Sequence, residues 1–196
     1  MHGSNEKIAT AAEAFDTIVA SSKPKLIQVD LKVPGVARQL LDQIYNRNLQ
    51  DVVVISSFHK SLLKEIRGLD GSVKTGLIKI MPQSGPIEYL ASETEENMLK
   101  LKVKDWLYHA YLYSMLLVNR ISGSAGADLI TDAKDVGADY AMFYWRAGTK
   151  SFVRRAHENG LGAIAGMVNN KRGIRRLERI GVDAVVTDLS ELLRHN

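Results

Sequence analysis

Six short runs rich in β-forming residues, separated by segments of helical period, constrain this chain more than any other feature of its sequence. The runs cover residues 26–31, 52–55, 75–80, 140–143, 162–165 and 184–187, each four to six residues long. Between them lie helix-period segments at 36–48, 61–69, 129–136, 151–159 and 172–180. Gly137, Gly160 and Gly181 each follow a helical segment and precede a strand, which is where a glycine stops a helix. Near-continuous apolar strands alternating with helices imply a parallel sheet covered by helices. In that architecture the chemistry sits at the C-terminal ends of the strands.

Composition narrows the class further. The 196 residues, 45% hydrophobic and 24% charged, suit one domain with a substantial core. With no Cys in the chain, disulfides and thiolate metal sites are excluded. The first seven residues are polar and small, unlike an apolar signal segment, so the expected compartment is the cytoplasm. The formal charge of +4 suits an anionic ligand. The basic residues are not interleaved with aromatics, which argues against nucleic acid. No Gly-x-Gly-x-x-Gly follows the first strand, which argues against a dinucleotide binder.

One helix stands apart. Leu99, Val103, Trp106, Ala110, Tyr113, Leu117 and Ile121 follow a 4-3-4-3-4-4 spacing, which puts them on one stripe. Its most apolar stretch, 106–118, is thirteen residues long with a His and a Ser inside it, too short for a hydrocarbon core that needs about 20. The stripe is expected to pack on its own domain, to cover a site, or to form a homodimer seam through residues 99–121.

The strand-end rule collects Asp30, Lys32, Ser56, Ser57, His59, Lys79, Tyr144, Arg146, Asn169, Asn170 and Asp188. Carboxylates, a His and several cations at one rim suit holding a phosphate, with Asp30 or Asp188 able to ligate a hard cation.

Of these, Ser56, Ser57, His59, Asn169, Asn170 and Asp188 lie within two stretches that carry a family resemblance. "VVVISSFHKSLLKEIRGLDGSVKTGLI" and "FVRRAHENGLGAIAGMVNNKRGIRRLERIGVDAVVTDLSELL" resemble the middle and closing segments of glycerophosphodiester phosphodiesterases. In the closing segment Ala156-His157, Gly160-Leu161, Val168-Asn169, Gly181-Val182-Asp183 and Thr187-Asp188 match the family pattern. Upstream, "IATAAEAFDTI" is similar to the helix that precedes the family's Ile-Glu-Ile-Lys strand, and "IQVDLK" then falls on that strand.

The resemblance implies a phosphodiesterase-type TIM barrel, incomplete at about six parallel strands, formed by residues 1–196 as a single domain with a helical insertion at 88–125. It implies cleavage of a glycerophosphodiester to an alcohol and glycerol 3-phosphate, within lipid metabolism, with a divalent cation (Mg²⁺ or Ca²⁺). It places Asp30 at the metal, Lys32 and Asn169 at the substrate phosphate, and His59 and His2 as general acid or base. The Arg-rich helix at 172–180 becomes the last outer crossover, its Arg172, Arg175, Arg176 and Arg179 mostly facing solvent. The alternative is a non-catalytic barrel relative that binds a phosphorylated ligand, or a protein partner through the 99–121 helix.

Overall fold

The structure, a computed structural model, describes residues 8–21, 26–79 and 127–189. His2, the 88–125 insertion and the 99–121 seam lie outside these residues. The described elements are α1 (Ala11–Ser21), β1 (Ile27–Asp30), α2 (Ala37–Tyr45), β2 (Val53–Ser57), α3 (Lys60–Leu69), β3 (Lys74–Lys79), α4 (Ala127–Asp135), β4 (Tyr140–Tyr144), α5 (Lys150–Glu158), β5 (Gly162–Gly166), α6 (Lys171–Ile180) and β6 (Ala184–Val185). The last strand is shorter than its sequence run, although the chain keeps pairing beyond it: Val186 N–H donates to Ala165 O at 2.9 Å and Val168 N–H to Val186 O at 3.0 Å.

The helices begin and end where local chemistry directs. Thr10 and Glu13 form a reciprocal capping box at α1, with Thr10 N–H donating to Glu13 Oε2 at 2.7 Å and Glu13 N–H to Thr10 Oγ1 at 3.2 Å. Thr149 accepts from Phe152 N–H at the start of α5, and Asn170 from Gly173 N–H at the start of α6. Gly181 ends α6 at φ +86°, in the left-handed region where a Cβ is unfavourable.

All six strands are parallel and lie in the sheet in chain order, β1 to β6. A doubly wound sheet reverses its strand order at a switch point; here the order never reverses. Successive right-handed crossovers then put the helices on one side and leave the other to curl inward. The result is an arc of a (β/α) barrel of the TIM type, with a helical outer layer and an inner lumen.

Register sorts each strand's residues between the two layers. Paired residues in a parallel ladder point the same way, so Gly76, Tyr140 and Gly162 form one row, Ile78, Met142 and Ile164 the next, and Tyr144 with Gly166 the last. This is the lumen side, filled at its base: a Cβ on Gly76 would meet Met142 Sδ at 2.6 Å, and one on Gly162 would meet the Tyr140 ring at 2.5 Å. The opposite parity, Leu77, Ala141, Phe143, Ala163 and Ala165, joins Leu129, Phe152, Val153, Ile174 and Leu177 in a core beneath α4 to α6. A second core, under α1 to α3, gathers Phe15, Ile27, Leu40, Leu41, Ile44, Val53, Ile55, Leu62 and Ile66. Each fully buried Leu or Phe in these cores contributes about 1.5–3 kcal/mol.

A repeated device fastens the N-terminal ends of the strands. Gly137-Ala138-Asp139 and Gly181-Val182-Asp183 each place a positive-φ glycine after a helix and an aspartate before the next strand. Asp139 accepts from Thr75 N–H of β3 at 2.9 Å, and Asp183 from Ala163 N–H of β5 at 2.6 Å. Each carboxylate thereby ties its own strand to the preceding one, and each takes a cation or imidazole besides. Asp139 pairs with Arg67 and with Lys74, the latter at 2.8 Å; Asp183 meets His157 Nε2 at 2.9 Å.

Candidate active site

At the C-terminal rim, Asp30 ends β1 in register with Ser56, on the lumen parity. Lys32 brings its ammonium to 3.6 Å from the Asp30 carboxylate, with side chains 65% and 32% exposed for the Lys and the Asp. An ion pair this open contributes little to stability, and both groups remain accessible to a ligand. Ser56 is buried: its hydroxyl accepts from Gln28 Nε2 at 3.0 Å and donates to Val29 O at 3.3 Å.

Ser57 and Lys79, both gathered by the strand-end rule, turn out to face the helices. Ser57 Oγ donates to Leu31 O at 2.7 Å and accepts from His59 N–H at 3.1 Å, so it organises the two rim loops that carry Lys32 and His59. Lys79 shares its register with Phe143, on the helix side. Only 4% exposed, it reaches α4, where its Nζ lies 2.6 Å from Asp132. Asp132 also binds Lys60, which bonds Asp135 as well. Burial alone would raise the Asp132 pKa; the hydrogen bonds from Lys60 and Lys79 more than reverse this and hold it below the usual carboxylate range. Lys79 is thus part of the packing between β3, α3 and α4 rather than of the rim.

His59 occupies the N-cap position of α3 without a side-chain capping bond, and it is exposed. Across the rim, Asn169 sits at the centre of a closed set of bonds between the ends of β5 and β6. Its Oδ1 accepts from Thr187 Oγ1 and from Asp188 N–H, both at 3.0 Å, while its Nδ2 donates to Asp188 Oδ2 at 2.7 Å. One amide hydrogen of Asn169 is used in this way; the amide carries two. Asn170, the neighbour, is spent on capping α6.

The structure therefore joins Asp30 to Lys32, joins Asn169 to Thr187 and Asp188, and sets His59 on a third loop. The rim carries a further arrangement on the β4–α5 loop. Arg146 lies over the Trp145 ring at 4.7 Å. Arg176 of α6 donates to Trp145 O at 3.0 Å and to Gly148 O. Gly173 lets α6 approach: a Cβ there would lie 2.6 Å from Val168 Cγ2 and 3.1 Å from Trp145. Arg176 is thus a half-buried clamp on a rim loop and not a solvent-facing residue. Its spacing from Gly173, with Leu177 and Ile180 beside it, places it on the inward stripe of α6; that spacing is the signal in the sequence that marks it.

Among the described residues no group of three or more His, Cys, Asp or Glu is gathered to hold a metal ion. Mg²⁺ or Ca²⁺ takes about six oxygen ligands, whereas Asp30 faces a lysine and Asp188 an asparagine amide. The described donor set does not by itself fit a divalent cation. Among the described residues no helix is long and apolar enough to cross a membrane.

The comparisons with known proteins agree with the architecture. The model of the glycerophosphoryl diester phosphodiesterase family matches residues 13–192. A curated glycerophosphodiester phosphodiesterase of Caldanaerobacter subterraneus subsp. tengcongensis is 21% identical over 193 residues, which is 96% of this chain and 61% of that protein. Among solved structures, an Oleispira antarctica phosphodiesterase in complex with the product sn-glycerol-3-phosphate aligns with a TM-score of 0.59 at 14% identity, over 93% of this chain and 60% of the other. A glycerophosphodiester phosphodiesterase from Thermotoga maritima aligns with a TM-score of 0.53 at 16% identity, over 94% of this chain and 68% of the other. The chain spans about three fifths of the length of the curated relative it matches. With an unreversed parallel arc, a rim of polar strand ends, and a family match over nearly its whole length, the chain belongs to the glycerophosphoryl diester phosphodiesterase family.

Proposed function

We propose that this chain hydrolyses a glycerophosphodiester, releasing an alcohol and glycerol 3-phosphate, a reaction that recovers products of lipid breakdown in the cytoplasm. The observation that carries this reading is the Asp30–Lys32 pair at the end of β1, close enough to interact and exposed enough to bind. The Lys32 ammonium neutralises phosphate charge. The second amide hydrogen of Asn169 donates to a phosphate oxygen, its carbonyl being held by Thr187 and Asp188. His59 supplies the proton chemistry: water adds to phosphorus, the bond from phosphorus to the second alcohol breaks, and the imidazolium protonates the departing oxygen. His2 is proposed as its counterpart on the other side of the reaction. The cation that the family implies would supply charge neutralisation at phosphorus, and Asp30 is the described carboxylate that would hold it; no step here is routed through it.

The lack of a gathered ligand set among the described residues favours one second reading, a non-catalytic barrel relative that retains the phosphate contacts and binds a phosphorylated ligand. Incubation with glycerophosphocholine, with and without Mg²⁺ or Ca²⁺, and coupled detection of glycerol 3-phosphate separates the two. Release that disappears in Asp30→Ala supports hydrolysis. No release, or equal release by wild type and variant, removes Asp30 from a catalytic role.

A further inference from the structure

Among the described residues three glycines, Gly76, Gly162 and Gly166, face the lumen, and they differ. Gly76 and Gly162 are required by packing, because a side chain at either would collide with Met142 or with Tyr140. Gly166 is not. Its backbone lies outside the left-handed region, and among the described residues the atoms nearest to an added Cβ are Phe143 O and Val186 Cβ, both at 3.9 Å. Glycine weakens a strand interior and frequently marks a close approach by another group. The next residue, Met167, bears the opposite burden: it adopts φ +62° with a side chain 51% exposed, a conformation unfavourable for an unbranched L-residue and easy for glycine. A backbone optimised for its own sake would carry the side chain at 166 and the glycine at 167. The sequence has the reverse order at the mouth of the site, two residues from Asn169.

We propose that Gly166 and Met167 form a specificity subsite that accepts an apolar alkyl group attached to the substrate phosphate. Among the described residues, the lumen beside Gly166, in register with Tyr144, is met by nothing nearer to an added Cβ than Phe143 O and Val186 Cβ at 3.9 Å. Met167 projects a flexible thioether at the rim, a side chain suited to hydrocarbon of varied shape. The occupant is therefore a phosphodiester whose second alcohol carries a hydrocarbon chain. This assignment rests on the diester reading of the site, but its test does not need turnover.

Calorimetric titration of the full chain with hexylphosphocholine and with phosphocholine reads the subsite directly. The wild type is expected to bind hexylphosphocholine at least tenfold more tightly, and Gly166→Leu to abolish that preference while leaving phosphocholine affinity unchanged within about twofold. Gly166→Ala, whose Cβ fits, is expected to keep the preference. Met167→Gly, which relieves the left-handed strain and removes the rim side chain, is expected to fold and to lose about threefold or more in hexylphosphocholine affinity; this variant carries the test if Gly166→Leu fails to fold. Equal affinity for the two probes, binding of neither, or a preference that survives both Gly166→Leu and Met167→Gly overturns the subsite. A chain that prefers the alkyl probe yet releases no glycerol 3-phosphate retains the subsite and refutes hydrolysis. One that hydrolyses glycerophosphocholine without alkyl preference does the opposite.

Discussion

The two ends of the sheet use the same side chain for opposite ends. At the foot of the strands, Asp139 and Asp183 accept backbone N–H groups at 2.9 and 2.6 Å and hold a cation or imidazole as well. Asp139 commits both of its oxygens to the protein, and Asp183 takes both its backbone N–H and its imidazole on Oδ2. At the rim, Asp30 faces Lys32 at 3.6 Å, and the exposed Asp188 is steadied by a neutral amide. A carboxylate that accepts backbone N–H groups fixes the strands; one that stands beside a lysine at the C-terminal end of a strand lies where such sheets place their chemistry. The comparison separates aspartates that tie strands together from aspartates that stand at the rim, in a chain where neither kind is distinguished by residue type.

The largest expected departure comes from the rim. Asp30→Ala should lower kcat/KM for a glycerophosphodiester by about 10²–10³, equivalent to about 3–4 kcal/mol, while the melting temperature moves by less than about 2 °C because the exposed pair contributes so little. Steady-state kinetics with a parallel thermal melt checks both halves. Asp139→Ala should show the reverse. Losing a backbone bond and two cationic partners costs about 3 kcal/mol, or roughly 6–12 °C of melting temperature for a chain of this size, with kcat/KM of the folded fraction within about twofold of wild type. If Asp139→Ala abolishes activity at a temperature where it is fully folded, the division between the two ends fails.

A smaller effect is expected between these extremes. Arg176→Ala removes two charged bonds to carbonyls of the β4–α5 loop, at about 2 kcal/mol, and should raise KM severalfold with kcat nearly unchanged, because the loop holding Arg146 is loosened. Arg176→Lys should recover only part of this, since an ammonium lacks the planar fork of a guanidinium. A variant that melts like wild type with unchanged KM would show that the clamp is dispensable.

The smallest effect concerns pH. Asp132 has a lowered folded-state pKa, burial being outweighed by its Lys60 and Lys79 bonds, and Lys60 is raised by hydrogen bonds to Asp132 and Asp135. A lowered acid stabilises above its unfolded value, about 3.9, and that contribution is lost as pH falls through the folded value. A raised lysine stabilises below its unfolded value, about 10.4, and loses that as pH rises through the folded one. The network should therefore give a level melting temperature from about pH 5 to 9 and a decline below about pH 4. Asp132→Asn should melt lower at neutral pH and decline less on acidification; an identical acid limb in both proteins would show that this network is not its source.

Much of the arc was legible in the sequence. The apolar runs and the glycines at 137, 160 and 181 placed all six strands within a few residues, because periodicity and helix stops are local properties. Which side of a strand a residue faces is not local when both sides are apolar. Leu77 and Ile78 read alike in sequence, so the parity that sends Lys79 to Asp132 is set only by register with β4. Ser57 reads from the sequence as a rim residue on the same ground, and its hydroxyl instead donates to Leu31 O. Asp30, Lys32 and Asn169 stand at the rim as expected, since adjacency to a strand end suffices to find them. Arg176 was hidden among four arginines of one helix, only its spacing from Gly173 setting it apart.

The aspartate ties at the foot of the sheet act as a mechanical gauge for the other end. β4 runs five residues from Tyr140 to Tyr144, about 16 Å at roughly 3.3 Å per residue. A displacement of one residue along that ladder would turn every side chain to the opposite layer, exchanging the glycine row of the lumen for Leu77 and Ala141 and carrying Tyr144 away from Gly166. Asp139 penalises that displacement where β3 begins, and Asp183 where β5 begins. The positional tolerance of the rim is thus set at the far end of the strands, which leaves the rim residues themselves free to be chosen for what they bind.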